Sequence, residues 1–295
     1  MLRPMGTEEA LLGGRYRLDH VAGHGGMATV FSAYDTVLDR RVAIKLLQHR
    51  RDGRGILEER FEREARAEAK IVHPNVVSVH DIGESEDGRP FIVMDYVAGR
   101  SLQEIIAEDG PLSSERVAIV GMGLARALAA AHALNIVHRD VKPANVIVDE
   151  QGVPHLMDFG LARDIVEDDP GITAPGVLVG TPFYVAPEQA QYGTASPAAD
   201  MYSLGAVLYH ALTGEPPFTG ENAFDVALRR FQEDPADLRD VVPAADPDLA
   251  TLIHALLERD PVKRPWDATA VAERLADIGA RLRATRTAGE TQAPL

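Results

Sequence analysis

Residues 136–160 read IVHRDVKPANVIVDEQGVPHLMDFG, and everything else in the chain is interpreted outward from this stretch. Asp140 can accept a proton from a hydroxyl, and Lys142, two residues on, can neutralise charge on a migrating phosphoryl group. Asn145 and Asp158 are oxygen ligands of the kind a hard cation such as magnesium takes. Each of these residues alone is an ordinary polar side chain. Their order and spacing, with Asp158 18 positions beyond Asp140, carry the reading.

Upstream, Gly23, Gly25 and Gly26 in VAGHGGMATV suit a loop whose backbone amides approach a polyphosphate closely. A dinucleotide-binding turn would need a helix directly after the glycines, but Thr29 to Asp35 continues as a strand, so a β-hairpin flap is expected. Lys45 closes the apolar strand VAIK, where an ammonium calls for an anionic partner such as phosphate oxygens or a helix carboxylate. Lysine is scarce here, with only four among 30 basic residues, at 45, 70, 142 and 263. Two of those four fall inside the stretches just named.

The runs YRLDHV, TVFSAYD and RRVAIKLL predict a three-stranded meander, and Leu57 to Ile71 predicts a helix with Phe61, Ala65, Ala69 and Val72 on one face. Strands at Val76 to Ile82 and Pro90 to Tyr96, split by the turn ESEDGR, complete a five-stranded sheet with one helix. After Gly99 helices dominate: Ser114 to Leu134, Pro197 to Thr213, Asn222 to Phe231, Pro247 to Glu258 and Ala268 to Arg283. Ser196 before Pro197 is a strong helix start. The expected organisation is an extension over 1–15, a first lobe over 16–96, a second over 97–282 with a cleft between them, and a disordered tail over 283–295.

Composition narrows the function classes. With 295 residues, 45 acidic against 30 basic side chains and a net charge of −15, diffuse attraction to nucleic acid or anionic lipid is unfavourable, and neither is an expected partner. There are no cysteines, which removes disulfides, thiolate zinc sites and a thiol nucleophile. The first residues hold no apolar run of signal-peptide length, and Val117 to Leu134 is broken by Arg126 and His132. A cytoplasmic chain is expected, one that could be the cytoplasmic part of a longer membrane-anchored protein.

GHGGMATV, VAIK, HRDVKPAN, DFG and APE (Ala186 to Glu188) occur in the order found in protein kinases. Over about Tyr16 to Leu282 the chain resembles that superfamily, and within it the bacterial, actinobacterial-like Ser/Thr protein kinases. The resemblance implies an α+β bilobal protein-kinase-like fold, with a small five-stranded antiparallel sheet lobe carrying one main helix and a larger, mainly α-helical lobe. It implies that Val21, Ala22, Gly23, Gly25, Gly26 and Val30 cover ATP, that Ala43 and Ile147 sandwich the adenine, and that Met94, Asp95 and Val97 line its edge. Lys45 would bind phosphates and pair with Glu64. Asp140 would be the catalytic base, Lys142 the γ-phosphate contact, and Asn145 and Asp158 the ligands of magnesium, or of manganese in its place.

The resemblance also implies that Thr181 braces Asp140 and Lys142, that Glu188 pairs with Arg264 to hold the substrate loop, and that Asp200 braces the catalytic-loop backbone. Thr173 is the candidate regulatory phosphosite, with Arg139 as the cation a phosphate there would recruit. Lys142 and Thr181 point to serine and threonine as acceptors. The expected activity is that of a non-specific protein Ser/Thr kinase acting on protein substrates, activated by autophosphorylation, with a homodimer through the small lobe. The alternative is an ATP-binding pseudokinase scaffold. A small-molecule kinase is disfavoured by the peptide-docking look of Thr181 to Glu188. Two features depart from the family pattern. Ala28 replaces the third loop glycine, and Glu68 stands where relatives place an apolar residue, so either the helix is rotated or Glu68 meets a cation; spacing to Pro74 favours Glu64 over Glu68 as the partner of Lys45.

Overall fold

β1 (Tyr16–His24), which contains Gly23, and β2 (Ala28–Asp35) pair antiparallel, with Gly25 directly after β1. The next turn is closed by Asp35, whose Oδ1 accepts the amides of Val37 and Leu38, with Asp39 in the left-handed region at φ 54°. In β3 (Arg40–Leu47) the period-two alternation is explicit: Val42, Ile44 and Leu46 are buried, whereas Ala43 and Lys45 are half-buried on the other face. Helix α1 (Ile56–Glu68) follows, then β4 (Val79–Glu84) and β5 (Pro90–Asp95), turned at Gly88 and closed by Ser85 against Arg89. The sheet order is β1-β2-β3-β5-β4, all antiparallel. Tyr16, Ala33, Val42, Ile44, Leu46, Phe91 and Val93 form its core.

The computed structural model describes residues 11–25, 28–48, 56–159, 182–193, 195–265 and 267–291. They divide into two compact units, one holding the residues up to Lys70 plus Val77–Val97, the other Ile71–Val76 and Ala98 onward. The strand expected from Val76 begins only at Val79. Residues 71–76 pack with the second unit instead, because Leu156 donates to the Asn75 carbonyl at 2.8 Å and Asn75 Nδ2 donates to the Pro154 carbonyl at 2.8 Å. A Cβ on Gly123 would come within 2.4 Å of Pro154, so only glycine lets the helix approach that closely.

The second unit opens with β6 (Gly99–Ser101) and α2 (Leu102–Asp109), started by a capping box in which Ser101 and Glu104 satisfy each other's amides. Helix α3 (Ser114–His132) is capped by Ser113, and its residues Leu124 and Leu128 are fully buried, each stabilising by roughly 1.5–3 kcal/mol. A ribbon of β7 (Val146–Asp149) and β8 (Pro154–Leu156) pairs with β6 to make a three-stranded sheet. Then come α4 (Pro187–Tyr192), α5 (Pro197–Thr213), α6 (Ala223–Gln232), α7 (Leu238–Val241), α8 (Pro247–Leu256) and α9 (Ala268–Thr291). Helix α5 starts at Pro197 with Ser196 accepting the Ala199 amide, and ends on Gly214 at φ 85°.

Two expectations are corrected. The buried stripe of α1 is Phe61, Ala65 and Glu68, spaced i, i+4, i+7, while Ala69 is exposed and Val72 lies beyond the helix at 87% exposure. Glu68, at 5% exposure, thus occupies the third core-facing position. The tail is helical rather than disordered as far as Thr291, because Arg283 and Arg286 both reach Glu115 on α3, at 3.3 and 3.0 Å. Those ion pairs replace the apolar periodicity that this segment lacks.

Candidate active site

In the sheet unit, strand register alone assembles one set of residues. Gly23 opposes Val30, Val30 opposes Lys45, and Lys45 opposes Ile92; one step along, Ser32 opposes Ala43 and Ala43 opposes Met94. Opposed residues of an antiparallel ladder share a face. Gly23, Val30, Ala43, Lys45 and Met94 therefore stand together, on the side away from Val42 and Ile44. The Gly25 amide donates to the Ala28 carbonyl at 2.9 Å and closes the flap, and Ala28 is buried at 4% exposure.

Val21 does not join that set. The irregularity at Ala22 puts Val21 opposite Phe31, which opposes Ile44 and, through it, Val93, so by register Val21 falls on the core face, 44% exposed. At the end of β5, Asp95 accepts from the Ser78 amide and pairs with His80 at 2.5 Å, while its own amide donates to the Ser78 carbonyl. Burial pushes this carboxyl up, but the His80 and Ser78 bonds outweigh that and hold it below the ordinary range. Val97 is half-buried two residues later. Gly26 lies outside the described residues, and of Glu64 only the helical backbone is described.

In the helical unit, the loop from His138 to Asn145 is wired from within and from behind. Lys142 Nζ donates to Asp140 Oδ2 at 2.6 Å. Asn145 Nδ2 donates to the Asp140 carbonyl at 2.9 Å and to Asp140 Oδ2 at 3.2 Å. Both amide hydrogens of Asn145 thus face Asp140, which assigns Oδ1 as the oxygen directed elsewhere. Asp140 is 35% exposed on its side chain and Lys142 24%, so both reach solvent, and among the described residues the second carboxylate oxygen of Asp140 makes no hydrogen bond.

The ribbon explains how Asp158 joins them. Val146 opposes Leu156 in the β7–β8 ladder, and one step further the Met157 amide donates to the Asn145 carbonyl at 3.0 Å. Asn145 and Asp158 therefore leave the same end of one hairpin. Asp158 adopts φ 63°, a left-handed conformation uncommon for a residue with a side chain, and the following Phe159 is pinned against the His138 ring at 4.5 Å. Among the described residues no group of three or more His, Asp or Glu gathers as an ion site. The amide and carboxylate oxygens of Asn145 and Asp158 are nonetheless the donor chemistry a hard cation takes, and the residues present fit such an ion. Ile147, between them in sequence, is half-buried opposite His155 and Ser101.

Behind the loop sits Asp200, 1% exposed on α5. Its carboxylate accepts the amides of His138 and Arg139, each at 2.8 Å, and His132 Nε2 at 2.8 Å. His138 is fully buried; its Nε2 reaches the Met157 carbonyl and its Nδ1 accepts the Asp140 amide. Burial pushes this imidazole down, against the pull of Asp200 and Asp140. Glu188 meets Arg264 in a two-pronged pair at 2.8 and 3.3 Å, with the guanidinium fully buried and also donating to the carbonyls of Ala198 and Glu258. Thr173 and Thr181 lie outside the described residues.

Two further residues of this wiring, His132 and Gln189, carry no signal in the motifs. In the sequence His132 breaks the apolar run of the predicted helix Ser114 to Leu134, and Gln189 belongs to no motif. Only folding turns the first toward Asp200 and the second, through Nε2, toward the Arg139 carbonyl at 3.0 Å.

The chain is 39% identical over 269 residues to a probable serine/threonine-protein kinase, PknB, of Corynebacterium glutamicum, covering 90% of this chain and 42% of that protein. It is 38% identical over 276 residues to the serine/threonine-protein kinase PknL of Mycobacterium tuberculosis, covering 93% of this chain and 68% of that one. The chain thus spans about two-fifths of the length of its PknB relative and about two-thirds of PknL. Among solved structures it matches the kinase domain of Mycobacterium tuberculosis PknI with a TM-score of 0.69 and 25% identity, over 93% of this chain and 99% of that one. Among the described residues no helix is long and apolar enough to cross a membrane. The protein kinase domain family model matches residues 16–275, and the chain belongs to that family.

Proposed function

We propose that this chain is the catalytic domain of a Ser/Thr protein kinase, transferring the γ-phosphoryl group of ATP to serine and threonine hydroxyls of proteins. The observation that carries the reading is the cluster in which Asp140, Lys142 and Asn145 are tied together within 3.2 Å, with Asp158 leaving the same hairpin end as Asn145. Asp140 takes the proton of the attacking hydroxyl on its open carboxylate oxygen. Lys142, held on the other oxygen, offers its positive charge to the transferring group.

Asn145 and Asp158 would hold the magnesium ion, which when bound neutralises phosphate charge. Lys45 takes the phosphates, with Gly23, Gly25 and Val30 over them and Ala43, Met94 and the edge from Asp95 to Val97 receiving the adenine. Val21 is left out of this set because of its register. Lys142 favours Ser/Thr over Tyr acceptors, and Thr173 is the proposed site of activating autophosphorylation, with Arg139 as its partner. A hydroxyl acceptor aligned by fixed groups is the main source of rate, since little covalent chemistry is asked of the protein.

Incubation with γ-labelled ATP, magnesium and a degenerate Ser/Thr peptide library tests this. Transfer is expected in the parent chain and is expected to drop at least 100-fold in Asp140→Asn and in Lys45→Met. Undiminished transfer in both variants removes the assignments. Stabilisation by ATP without any transfer would leave the nucleotide-binding scaffold instead.

A further inference from the structure

Arg139, directly before Asp140, has φ 69°, a conformation that residues with side chains seldom hold unless their surroundings impose it. Two side chains impose it here. The Arg139 amide donates to Asp200 Oδ1 at 2.8 Å, and the Arg139 carbonyl accepts from Gln189 Nε2 at 3.0 Å. One residue's peptide groups are thus clasped from α5 on one side and from α4 on the other.

The Gln189 side of this clasp is chemically conspicuous. Gln189 is 8% exposed, and its Oε1 is a buried acceptor with no hydrogen-bond partner among the described residues. Burying an amide with half its capacity unmet is unfavourable, and a leucine or methionine of similar volume would fill the same space without that cost. The amide is therefore accounted for by its single donor bond, the one to Arg139. Its neighbour Glu188 is locked to the buried Arg264, so α4 is itself anchored at its first turn and gives Gln189 a fixed base.

We propose that Gln189 is a positioning residue for Asp140: by donating to the Arg139 carbonyl it holds the turn that aims the Asp140 carboxylate, and so links the helix carrying the APE motif to the catalytic loop. The inference rests on the phosphotransfer reading of Asp140 given above. Gln189 touches neither substrate nor nucleotide in this scheme, and acts through backbone geometry alone.

Two variants separate this role from packing. In Gln189→Leu the donor is lost and the orphan acceptor goes with it. The expected result is a kcat lower by about 10-fold with unchanged KM for ATP, and a Tm within about 3 °C of the parent. In Gln189→Glu the new carboxyl is buried, its pKa is raised, and only its protonated form can donate to the carbonyl. The ratio of variant to parent kcat should therefore rise several-fold from pH 8 to pH 6 in Gln189→Glu and stay flat in Gln189→Leu.

A kcat within two-fold of the parent in Gln189→Leu, or a flat ratio in Gln189→Glu, overturns the proposal. Hydrogen exchange keeps it separable from the kinase reading. Even in a chain that transfers no phosphate, Gln189→Leu should speed exchange of the Arg139 and Asp140 amides about 10-fold while α5 amides are unaffected. Unchanged exchange at those two amides sinks the clasp whatever the activity.

Discussion

The two units place their candidate functional side chains by different means. In the sheet unit, Gly23, Val30, Ala43, Lys45 and Met94 share a face because neighbouring strands are in register, and the bonds that set the register are between backbone groups. In the helical unit, Asp140 is aimed by side chains far away in sequence: Asp200 reaches amides 61 and 62 residues distant, and Gln189 reaches a carbonyl 50 residues distant. Register tolerates most side-chain changes, since every residue brings the same backbone donors and acceptors. A clasp built from single buried polar groups does not.

The sharpest way to break this contrast is Asp200→Asn. The carboxylate accepts three hydrogen bonds, and an amide of the same shape offers one acceptor oxygen and turns an NH₂ toward a donor. At least one buried N–H is left unmet. The expected cost is about 2–4 kcal/mol of unfolding free energy, with transfer reduced at least 100-fold. Urea unfolding followed by hydrogen exchange should show the loss in α3, α5 and the 138–145 loop, with the β3 and β5 amides retaining their protection relative to the global value. Equal loss in the sheet would mean that the units share one brace.

The same contrast explains what could be read from sequence. The hairpin flap, the strand carrying Lys45 and the start of α5 at Pro197 were legible, because alternation, glycines and a Ser-Pro cap are local signals. The three-stranded sheet of β6, β7 and β8 was not, since strands of three and four residues are too short to show a period. The stripe on α1 was misplaced by one position because an apolar residue is the default choice for a buried site, and Glu68 breaks that default. Helix α9 outran its expected end because its last turns depend on Glu115, a residue 168 positions from Arg283. The chemistry-bearing residues of the loop were legible as motifs. Their supports were less so: Asp200 was reached only through a resemblance, and His132 and Gln189 not at all.

Acidification offers a second, milder test. Burial pushes the imidazoles of His138 and His210 down, and both lie in the helical unit. Unfolded histidines take up a proton near pH 6.5 while the folded ones resist, so below that value the unfolded state binds more protons. Stability of the helical unit should fall as the pH drops from about 6.5 toward the folded values. In the sheet unit the groups shifted in the acid range are carboxylates: the Arg15 guanidinium beside Asp35, and the bonds to Asp95, hold them below the ordinary range. Their contribution is fully present above about pH 4 and is lost only as the pH falls through their folded values. Exchange at pH 7 and pH 5, corrected for its intrinsic pH dependence, should show weakening confined to the helical unit. A sheet that loosens first would reverse the assignment.

The smallest expected effect is also the most specific to the sheet. Strands β1 and β4 are the opposite edges of the β1-β2-β3-β5-β4 order, yet the Tyr16 hydroxyl donates to Asp81 Oδ2 at 2.8 Å and so ties one edge to the other. Burial and the Asp81 carboxylate push the phenol up, so it remains a donor across the working pH range. Tyr16→Phe removes that bond but keeps the edge-on ring contact with Phe91 at 5.8 Å, and the half-exposed Asp81 retains its pair with Arg15 at 3.3 Å and can rehydrate. The expected cost is about 1 kcal/mol. If strand register places Lys45 and its companions, this loss should appear in the urea midpoint while KM for ATP stays unchanged. A raised KM at the same stability cost would mean that the sheet, too, depends on a side-chain brace, and the difference between the two units would reduce to one of degree.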